Sequence, residues 1–318
     1  MPSKPKIVIV GSLAFDNVAT PFAARKNALG GSASFACAAA SFFARCGMVA
    51  VAGADFSRVS LGKLKKFGID LRGLQIAKGK TFRWSGVYEK DFNNRRTLCT
   101  KLNVFESFMP KLPTAYRPSP FLFLANIAPA LQAHVMEQVD APQFVMADTM
   151  DLWINTTRAD LLKLIKKVDL LLLNDSEARH LSGAHHLVTA AHRLLKLGPR
   201  YLIIKKGEHG SMLISRDSTF LLPAFPVDNV IDPTGAGDAF AGGFIGCLAA
   251  QKNLSGANLR KAGPQALSAL RRAMVYGTIT ASFAVESFSI DRLAAITRQE
   301  VRLRAAEFLG MVNPPPAD

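Results

Sequence analysis

The most informative stretch of the chain is Asp232-Pro233-Thr234-Gly235-Ala236-Gly237-Asp238-Ala239-Phe240. A turn of small residues leads directly into an apolar helix, whose first backbone N–H groups have no partner within the helix and carry partial positive charge. Glycines allow an anion to approach these N–H groups closely. The stretch therefore predicts an anion hole formed by Gly235, Ala236 and Gly237.

Asp238 lies at the start of the same helix. A carboxylate repels phosphate, so its presence is explained if it takes a proton from a hydroxyl that attacks the bound phosphate. The alternative is that Asp238 only stabilises the helix dipole. The chain has no GxxxxGK[ST] motif and no GxGxxG after its first strand, which excludes a P-loop protein and removes the fingerprint of an NAD-binding Rossmann fold.

Around this stretch, short apolar runs alternate with helical segments along most of the chain. Continuous apolar runs of this length are typical of buried parallel strands, and the alternation predicts an α/β sandwich with helices on both faces of the sheet. A polar hairpin over 81–101, with its turn at 91–94, interrupts the alternation. The predicted strands are 7–11, 49–53, 121–124, 144–146, 170–173, 201–204 and 211–214, and the main predicted helices are 31–46, 58–67, 237–252 and 264–284.

In such folds ligands bind at the carboxyl ends of the strands. The polar residues that follow the predicted strands are therefore the candidates for a site: Asp16, Asn126, Asp148, Asn174, Lys205–Gly210 and Asp232–Asp238.

Asn174 and Glu177 follow the strand at 170–173 and lie three residues apart at a helix start. Both side chains can hold a hydrated Mg²⁺, which keeps several of its waters in proteins. The competing interpretation is a capping box, in which the two residues only satisfy the helix terminus.

Two further groups follow strands. Lys205, with Gly207 and Gly210, suits a nucleotide phosphate, although a hairpin with solvated lysines fits equally well. Asp16, followed by Gly30-Gly31 at a helix start, offers a carboxylate and backbone N–H groups to a polyhydroxyl substrate, and a solvated turn is the alternative.

The composition limits the partners. The 318 residues include 39 Lys and Arg against 24 Asp and Glu, a formal charge of +15. The basic residues are spread along the chain without a run of five, which favours a solvated surface over a nucleic-acid interface. A nucleic acid is therefore not an expected partner.

Apolar runs are too short for a membrane span or a signal peptide, so a membrane is not an expected partner either. The four cysteines predict buried free thiols and a reducing cytoplasm.

Taken in this order, these pieces resemble the ribokinase-like (PfkB) family of carbohydrate and nucleoside kinases. Asp232–Phe240 is similar to the family's C-terminal signature, Leu29–Ala33 to its N-terminal one, and Asn174–Glu177 to its NxxE motif. Tyr276–Glu286 is similar to the segment that borders the adenine in the family. The resemblance covers nearly the whole chain. It implies a three-layer α/β/α sandwich with a mostly parallel central sheet, as a single domain over 1–318, in which 12–30 and 81–105 supply a small β lid.

The resemblance also implies a reaction. The γ-phosphoryl group of ATP passes to a hydroxyl of a small sugar, with Asp238 as the base and backbone N–H groups of 235–238 stabilising the transferring group. Mg²⁺ is held largely through water by Asn174 and Glu177. Carbonyls near Asp232 and Thr234 are candidates for a monovalent cation such as K⁺. A homodimer through the lid is a further expectation.

The remaining implied contacts divide between two substrates. The residues expected on the ATP side are Lys205, Gly207, Gly210, Thr234 and Thr278, and those expected on the acceptor side are Asp16, Gly30 and Gly31.

Two positions depart from the family's ribokinase-type pattern. Ser32 and Phe35 stand where those members have a lysine and an asparagine that bind the sugar. The glycine pair followed by serine is nearer the nucleoside-kinase pattern, but Phe35 also replaces the asparagine of that pattern, so two groups that would bond a ribose are missing. A nucleoside (adenosine-like) kinase is the alternative to a sugar kinase. Phe35 stacks on a ring of the substrate or packs in the core. A kinase-like protein that only binds its ligand, or a nucleic-acid binder, is the hypothesis of a different class.

The hairpin adds one more candidate. Strand alternation places Arg83 on the face opposite Phe82 and Trp84. If that face looks inward, Arg83 binds a phosphate already present on the substrate. The alternative is a solvated charge.

Overall fold

A computed structural model describes residues 4–90, 92, 95–252 and 254–312. Within them the strands, numbered in chain order, are β1 Ile7–Val10, β2 Ala14–Ala19, β3 Ala24–Gly30, β4 Cys46–Gly53, β5 Asp70–Ala77, β6 Phe82–Tyr88, β7 Arg95–Lys101, β8 Phe121–Leu124, β9 Phe144–Asp148, β10 Leu170–Asn174, β11 Tyr201–Lys205, β12 Ser211–Ser215 and β13 Thr219–Leu222.

The helices of the described part of the chain are α1 Ser32–Ser41, α2 Arg58–Lys66, α3 Pro129–Met136, α4 Asp151–Thr156, α5 Arg158–Ile165, α6 Asp175–Ser182, α7 Leu187–Leu195, α8 Ala236–Ala250, α9 Gly256–Lys261, α10 Pro264–Ala284, α11 Asp291–Ala295 and α12 Arg298–Val312.

The main sheet has the order β13-β12-β11-β10-β9-β8-β1-β4-β5. Its neighbouring strands pair in parallel, except that β12 runs antiparallel to β11 and to β13. Alternate residues of one strand enter different cores: Ile7 and Ile9 pack on one face of the sheet, and Val8 and Val10 on the other. Helices cover both faces, so the three-layer sandwich predicted from the sequence is confirmed.

The boundary between α1 and β4 differs from the sequence prediction. The helix predicted over 31–46 ends at Ser41, and the strand predicted at 49–53 begins at Cys46. The first residues of β4, Cys46-Gly47-Met48, are not β-branched, so nothing local marks them as strand. Their pairing with β1 and the close packing of the Tyr116 ring on Gly47 place them in the sheet.

A second sheet of four strands has the order β3-β2-β6-β7. The β2–β3 and β6–β7 pairs are antiparallel, and β2 pairs with β6 in parallel. Of the turn predicted at 91–94, only Phe92 is among the described residues. This sheet lies beside the main one because β2 and β3 connect β1 to α1.

The structure also bears on the expected burial of the cysteines and on the expected absence of a membrane span. Cys37, Cys46 and Cys247 are buried free thiols, but Cys99 is exposed on β7, so the prediction of burial was wrong for that residue. A strand exposed along its whole length gives a cysteine no core to enter. No helix among the described residues combines the length and apolar character needed to cross a bilayer.

Candidate active site

The candidate site lies where three neighbouring strands of the main sheet end. β9, β10 and β11 terminate at Asp148, Asn174 and Lys205. Because parallel strands present their carboxyl ends at one edge, these side chains meet in space although they are far apart in sequence. The first turn of α8 lies over this edge, since a Cβ placed on Gly237 would be 3.2 Å from Nζ of Lys205.

The turn before α8 has the glycine geometry that the sequence predicts. Gly235 is the N-cap with φ 78°, a left-handed conformation that glycine adopts without strain, and a Cβ there would lie 2.3 Å from the Phe35 ring. The Ala236 N–H donates to the Pro233 carbonyl at 3.2 Å. That bond engages Ala236 within the loop, so the anion hole proposed below uses the N–H groups of Gly235, Gly237 and Asp238.

Asp238 lies in the first turn of α8. Burial, together with the charge of Asp148, raises the pKa of its carboxyl to about 7, against the opposing charges of Lys205 and Arg95. A carboxyl with a pKa near neutrality both accepts and releases a proton readily at physiological pH. This environment is compatible with a general base, and it does not exclude the alternative that Asp238 only stabilises the helix dipole.

Asp16, on β2, is 5% exposed and shares the electrostatic environment of Asp238. Burial, together with the charges of Asp232 and Asp238, raises its pKa to about 7, and Arg95 opposes the shift. Gly30 makes room for it, because a Cβ on Gly30 would lie 1.8 Å from Oδ2 of Asp16. The structure thus brings the N-terminal carboxylate and the α8 carboxylate together.

The start of α1 is satisfied mainly from within the protein. Gly31 is the N-cap with φ 91°, the Ser32 N–H donates to the Ser12 hydroxyl at 3.1 Å, and the Ala33 N–H donates to the Ser12 carbonyl at 3.0 Å. The Ser32 hydroxyl accepts from the Ser12 N–H at 3.0 Å. Ser32 is therefore used to hold the glycine turn in place.

Phe35 packs in the core. It is 2% exposed and its ring lies against Gly235, so the core interpretation of this residue holds and a stacking role on a substrate ring does not.

Lys205 and Asp148 form an ion pair at the floor of the site, with 2.7 Å between Nζ and Oδ2. The other carboxylate oxygen, Oδ1, accepts from the Thr149 N–H at 2.9 Å. Burial alone would lower the pKa of Lys205, but Asp148, Glu177 and Asp238 together raise it above its usual value. The lysine is consequently a permanent cation beside the first turn of α8.

Asn174 and Glu177 form the capping box that was the competing interpretation. Oδ1 of Asn174 accepts from the Glu177 N–H at 2.8 Å, and Oε2 of Glu177 accepts from the Asn174 N–H at 2.7 Å. Burial raises the pKa of Glu177 to about 7. The cap and a metal role are compatible if the metal is reached through water, since direct coordination would compete with the capping bonds.

The other residues expected near ATP have local structural explanations or lie inside a helix. Gly207 and Gly210 both have positive φ and form the tight turn that joins β11 to β12. A Cβ on Gly210 would lie 2.1 Å from the Leu222 carbonyl, which explains that glycine by packing alone. Thr278 is buried at 7% exposure within α10, the helix that packs against α8.

The loop that contains Asp232 and Thr234 is internally braced. Oδ1 of Asp232, a fully buried side chain, accepts from the Thr234 N–H at 2.9 Å. The Thr234 hydroxyl donates to the Tyr88 hydroxyl at 3.1 Å, which ties this loop to strand β6 of the small sheet. The side chains of Asp232 and Thr234 thus have structural partners, and their carbonyls remain the candidates for a cation.

The structure corrects the expectation for Arg83. Arg83 is in register with Phe15, and its neighbour Trp84 is in register with Asp16, so Arg83 points away from the acidic cluster. It pairs with Asp55 at 3.1 Å and lies over the Phe15 ring. Strand alternation separates the two faces of a hairpin but does not show which one is inward, and the register does not meet the condition on which a phosphate-binding role for Arg83 depended.

Arg95 is a basic residue on the inward face. It lies opposite Tyr88, its guanidinium is 5.2 Å from the centroid of the Trp84 ring, and its charge lowers the pKa of both Asp16 and Asp238. Nothing in the local sequence separates Arg95 from the other hairpin cations. Its role depends on the strand register, which the sequence alone does not provide.

A second tryptophan is connected to the start of α1 by hydrogen bonds. Nε1 of Trp153 donates to Oδ1 of Asn126 at 2.8 Å, and the Asn126 carbonyl accepts from the Ser32 hydroxyl at 3.4 Å. Asn126 was flagged by its position after a strand, but Trp153, on α4, was missed because it reaches the site only through this contact.

Comparison with known proteins identifies the family of the chain. The family model of pfkB family carbohydrate kinases matches residues 5–269. The cytidine kinase of Thermococcus kodakarensis is 29% identical over 250 residues, which cover 75% of this chain and 87% of that protein.

Two solved structures share the fold. The nucleoside kinase of Methanocaldococcus jannaschii, an archaeal member of the ribokinase family, has a TM-score of 0.73 at 21% identity, covering 96% of this chain and 99% of its own. A putative ribokinase II from E. coli in complex with ATP and Mg²⁺ has a TM-score of 0.73 at 18% identity, covering 95% and 99%. The chain belongs to the pfkB family of carbohydrate kinases and has the ribokinase-like fold.

Proposed function

We propose that this kinase transfers the γ-phosphoryl group of ATP to a hydroxyl of a nucleoside, with Asp238 as the general base. The observation that carries the proposal is the meeting of Asp238, Asp16 and the first turn of α8 at one edge of the main sheet. One turn holds both the base and the N–H groups that an in-line phosphoryl transfer requires.

The transfer proceeds as follows. Asp16 binds the acceptor, and Asp238 takes the proton from its attacking hydroxyl. The hydroxyl oxygen bonds to the γ-phosphorus while the bond to the β–γ bridging oxygen breaks, and ADP leaves. The N–H groups of Gly235, Gly237 and Asp238 stabilise the charge on the transferring group.

The residues at the end of β10 fit a magnesium ion held through water. The oxygen donors of Asn174 and Glu177 are hard ligands of the kind Mg²⁺ prefers, and a cation there would favour the ionised form of the buried Glu177. When bound with ATP, Mg²⁺ neutralises phosphate charge. The carbonyls of Asp232 and Thr234 are the proposed ligands of a monovalent cation such as K⁺.

The acceptor site favours a nucleoside over a free sugar. Ser32 is occupied with Ser12, and Phe35 is in the core, so neither offers a hydrogen bond to a polyol. Trp84 and Trp153 are both partly exposed, Trp84 in register with Asp16 and Trp153 bonded to Asn126, and both are proposed to face the acceptor. Flat aromatic surface with few polar groups suits a base attached to a ribose. Cytidine and nucleoside kinases among the relatives support the same class.

The small sheet is proposed to act as the lid over this site. Its inward face carries Asp16 and Tyr88, and the bond between Tyr88 and Thr234 connects it to the loop that precedes α8. A lid held there would exclude water, which otherwise competes with the acceptor for the phosphoryl group.

A substrate panel tests the proposal. Purified protein with ATP and Mg²⁺ is incubated with nucleosides and with free pentoses and hexoses, and both ADP release and the phosphorylated product are measured. Phosphorylated nucleosides with little phosphorylated sugar are expected. Phosphorylation of free sugars alone would overturn the acceptor class, and absence of any phosphorylated product would overturn the function.

A further inference from the structure

The ion pair of Lys205 and Asp148 spans three strands of the main sheet. β11 is separated from β9 by β10, yet Nζ of Lys205 crosses that strand to reach Oδ2 of Asp148 at 2.7 Å. Both side chains are largely buried, with 18% of Lys205 and 4% of Asp148 exposed. A lysine side chain is flexible, so a buried partner two strands away fixes the position of its charge.

That position is beside the α8 turn. A Cβ on Gly237 would lie 3.2 Å from Nζ, while the nearer methylene carbons of Lys205 would be 3.8 Å away. Glycine at 237 therefore leaves room for the ammonium group of Lys205. It would also leave room for a phosphate that approaches the turn. Nζ lies next to the N–H groups of the proposed anion hole and close enough to Asp238 for their charges to interact.

Asp148 is itself held from two sides. Its Oδ1 accepts from the Thr149 N–H, and its carbonyl accepts from the Gln132 side chain, which also bonds the Leu124 and Ala125 carbonyls. With one carboxylate oxygen bound to the backbone and the other to Lys205, Asp148 serves to hold the lysine.

We propose that Asp148 is a positioning residue for phosphoryl transfer: it holds Nζ of Lys205 against Gly237, so that the lysine acts on the transferring γ-phosphoryl group rather than on the α- and β-phosphates. The inference rests on the proposed function and assigns a task to Asp148, which sequence position alone left open. A fixed cation at this point strengthens its contact as charge builds up on the transferring oxygens.

The first test compares nucleotide binding with turnover. For Lys205→Met, the Kd of ATP is expected to rise about tenfold with that of ADP within twofold, and kcat to fall about 10²–10³-fold. For Asp148→Asn, kcat is expected to fall about 10²-fold, again with ADP affinity retained, because a misplaced group loses most of its effect. Equal losses of ATP and ADP affinity would overturn the proposal.

The matched control is Asp169→Asn. Asp169 is another buried carboxylate of the same sheet, located before β10 and bonded to the Val145 N–H and to Arg260. Its loss is expected to lower the melting temperature comparably and to leave kcat within twofold. If Asp169→Asn reduces kcat as much as Asp148→Asn does, the role of Asp148 is structural and the proposal fails.

The second test is a double-mutant cycle. Gly237→Ala, whose methyl group must displace Nζ, is expected to lower kcat about tenfold in the wild type and less than twofold in the Lys205→Met background. Equal factors in both backgrounds would overturn the contact. The ATP-to-ADP affinity ratio is measured without an acceptor, so it tests the lysine even if the proposed nucleoside acceptor is wrong.

Discussion

The two glycine turns of the site, before α1 and before α8, look alike in sequence and differ in what surrounds them. Both helices begin after a glycine with positive φ, and neither has a side-chain cap. At α1 the Ser12 segment binds the first N–H groups and the Asp16 carboxylate lies against Gly30. At α8 the Lys205 ammonium lies against Gly237.

The two turns also touch, because the Phe35 ring of α1 packs on Gly235 of α8. The two turns therefore suit different ligands. A carboxylate beside the first turn suits acceptor hydroxyls, and a cation beside the second turn suits phosphate. A glycine motif alone therefore does not specify its ligand. The side chain that the rest of the fold places next to it does.

The largest expected effect is at the second turn. Asp238→Asn keeps the size of the side chain and removes the base, so kcat is expected to fall about 10³-fold with ATP affinity unchanged within twofold. Steady-state kinetics and titration calorimetry measure the two quantities. Retained turnover would exclude Asp238 as the base and remove the distinction between the turns.

The first turn is tested by Gly30→Ala. The added methyl group would displace the Asp16 carboxylate, so the KM of the acceptor is expected to rise about tenfold or more while the KM of ATP stays within twofold. Gly62→Ala is the control, because a Cβ there meets no atom within 4 Å. An equal rise in both KM values would show that the first turn is not specific to the acceptor.

A smaller effect is expected from Arg95→Met. The pKa of Asp238 is raised to about 7, chiefly by burial, and the charge of Arg95 opposes that rise. Activity should therefore increase as pH rises through about 7 and the carboxyl ionises. Loss of Arg95 should shift this increase in activity to higher pH. At pH 6 the rate is expected to fall about two- to threefold. Arg96→Met, on the other face of β7, is the control, and an unshifted profile for Arg95→Met would place its charge outside the site.

The smallest effect is expected from Tyr88→Phe, which removes the hydroxyl that accepts from Thr234. The lost bond is worth about 1 kcal/mol, or about 2 °C in melting temperature. Because the bond ties the small sheet to the second turn, kcat should also fall by about 1.5-fold to twofold. A changed melting temperature with unchanged kcat would show that this bond is only structural.

Much of the site follows from the sequence because the residues just after buried strands meet at one edge. This reasoning placed Asp16, Lys205 and the α8 turn in the same region, and it flagged Asp148 without assigning a role. The sequence could not provide the strand register of the hairpin or show which of its faces points toward the site. Arg83 and Arg95 belong to the same hairpin, and only the pairing of β2 with β6 shows that Arg95 is on the face of Asp16.

Ser32 and Phe35, which depart from the family's ribokinase-type pattern, could not be explained from the sequence for a different reason. Ser32 is explained by Ser12, twenty residues away, and Phe35 by Gly235 on another helix. These are long-range packing partners, which local patterns do not encode. The β4 start at Cys46 belongs with them, because its strand character comes from pairing with β1 rather than from its own residues.

The most direct test of the account follows an isotope label on the γ-phosphate of ATP, with a nucleoside acceptor, in the wild type and in Asp238→Asn. The account predicts that the wild-type protein delivers the label to the nucleoside with little free phosphate, and that Asp238→Asn delivers it at least about 10²-fold more slowly. Release of the label mainly as inorganic phosphate, or equal rates of transfer in the two proteins, would contradict it.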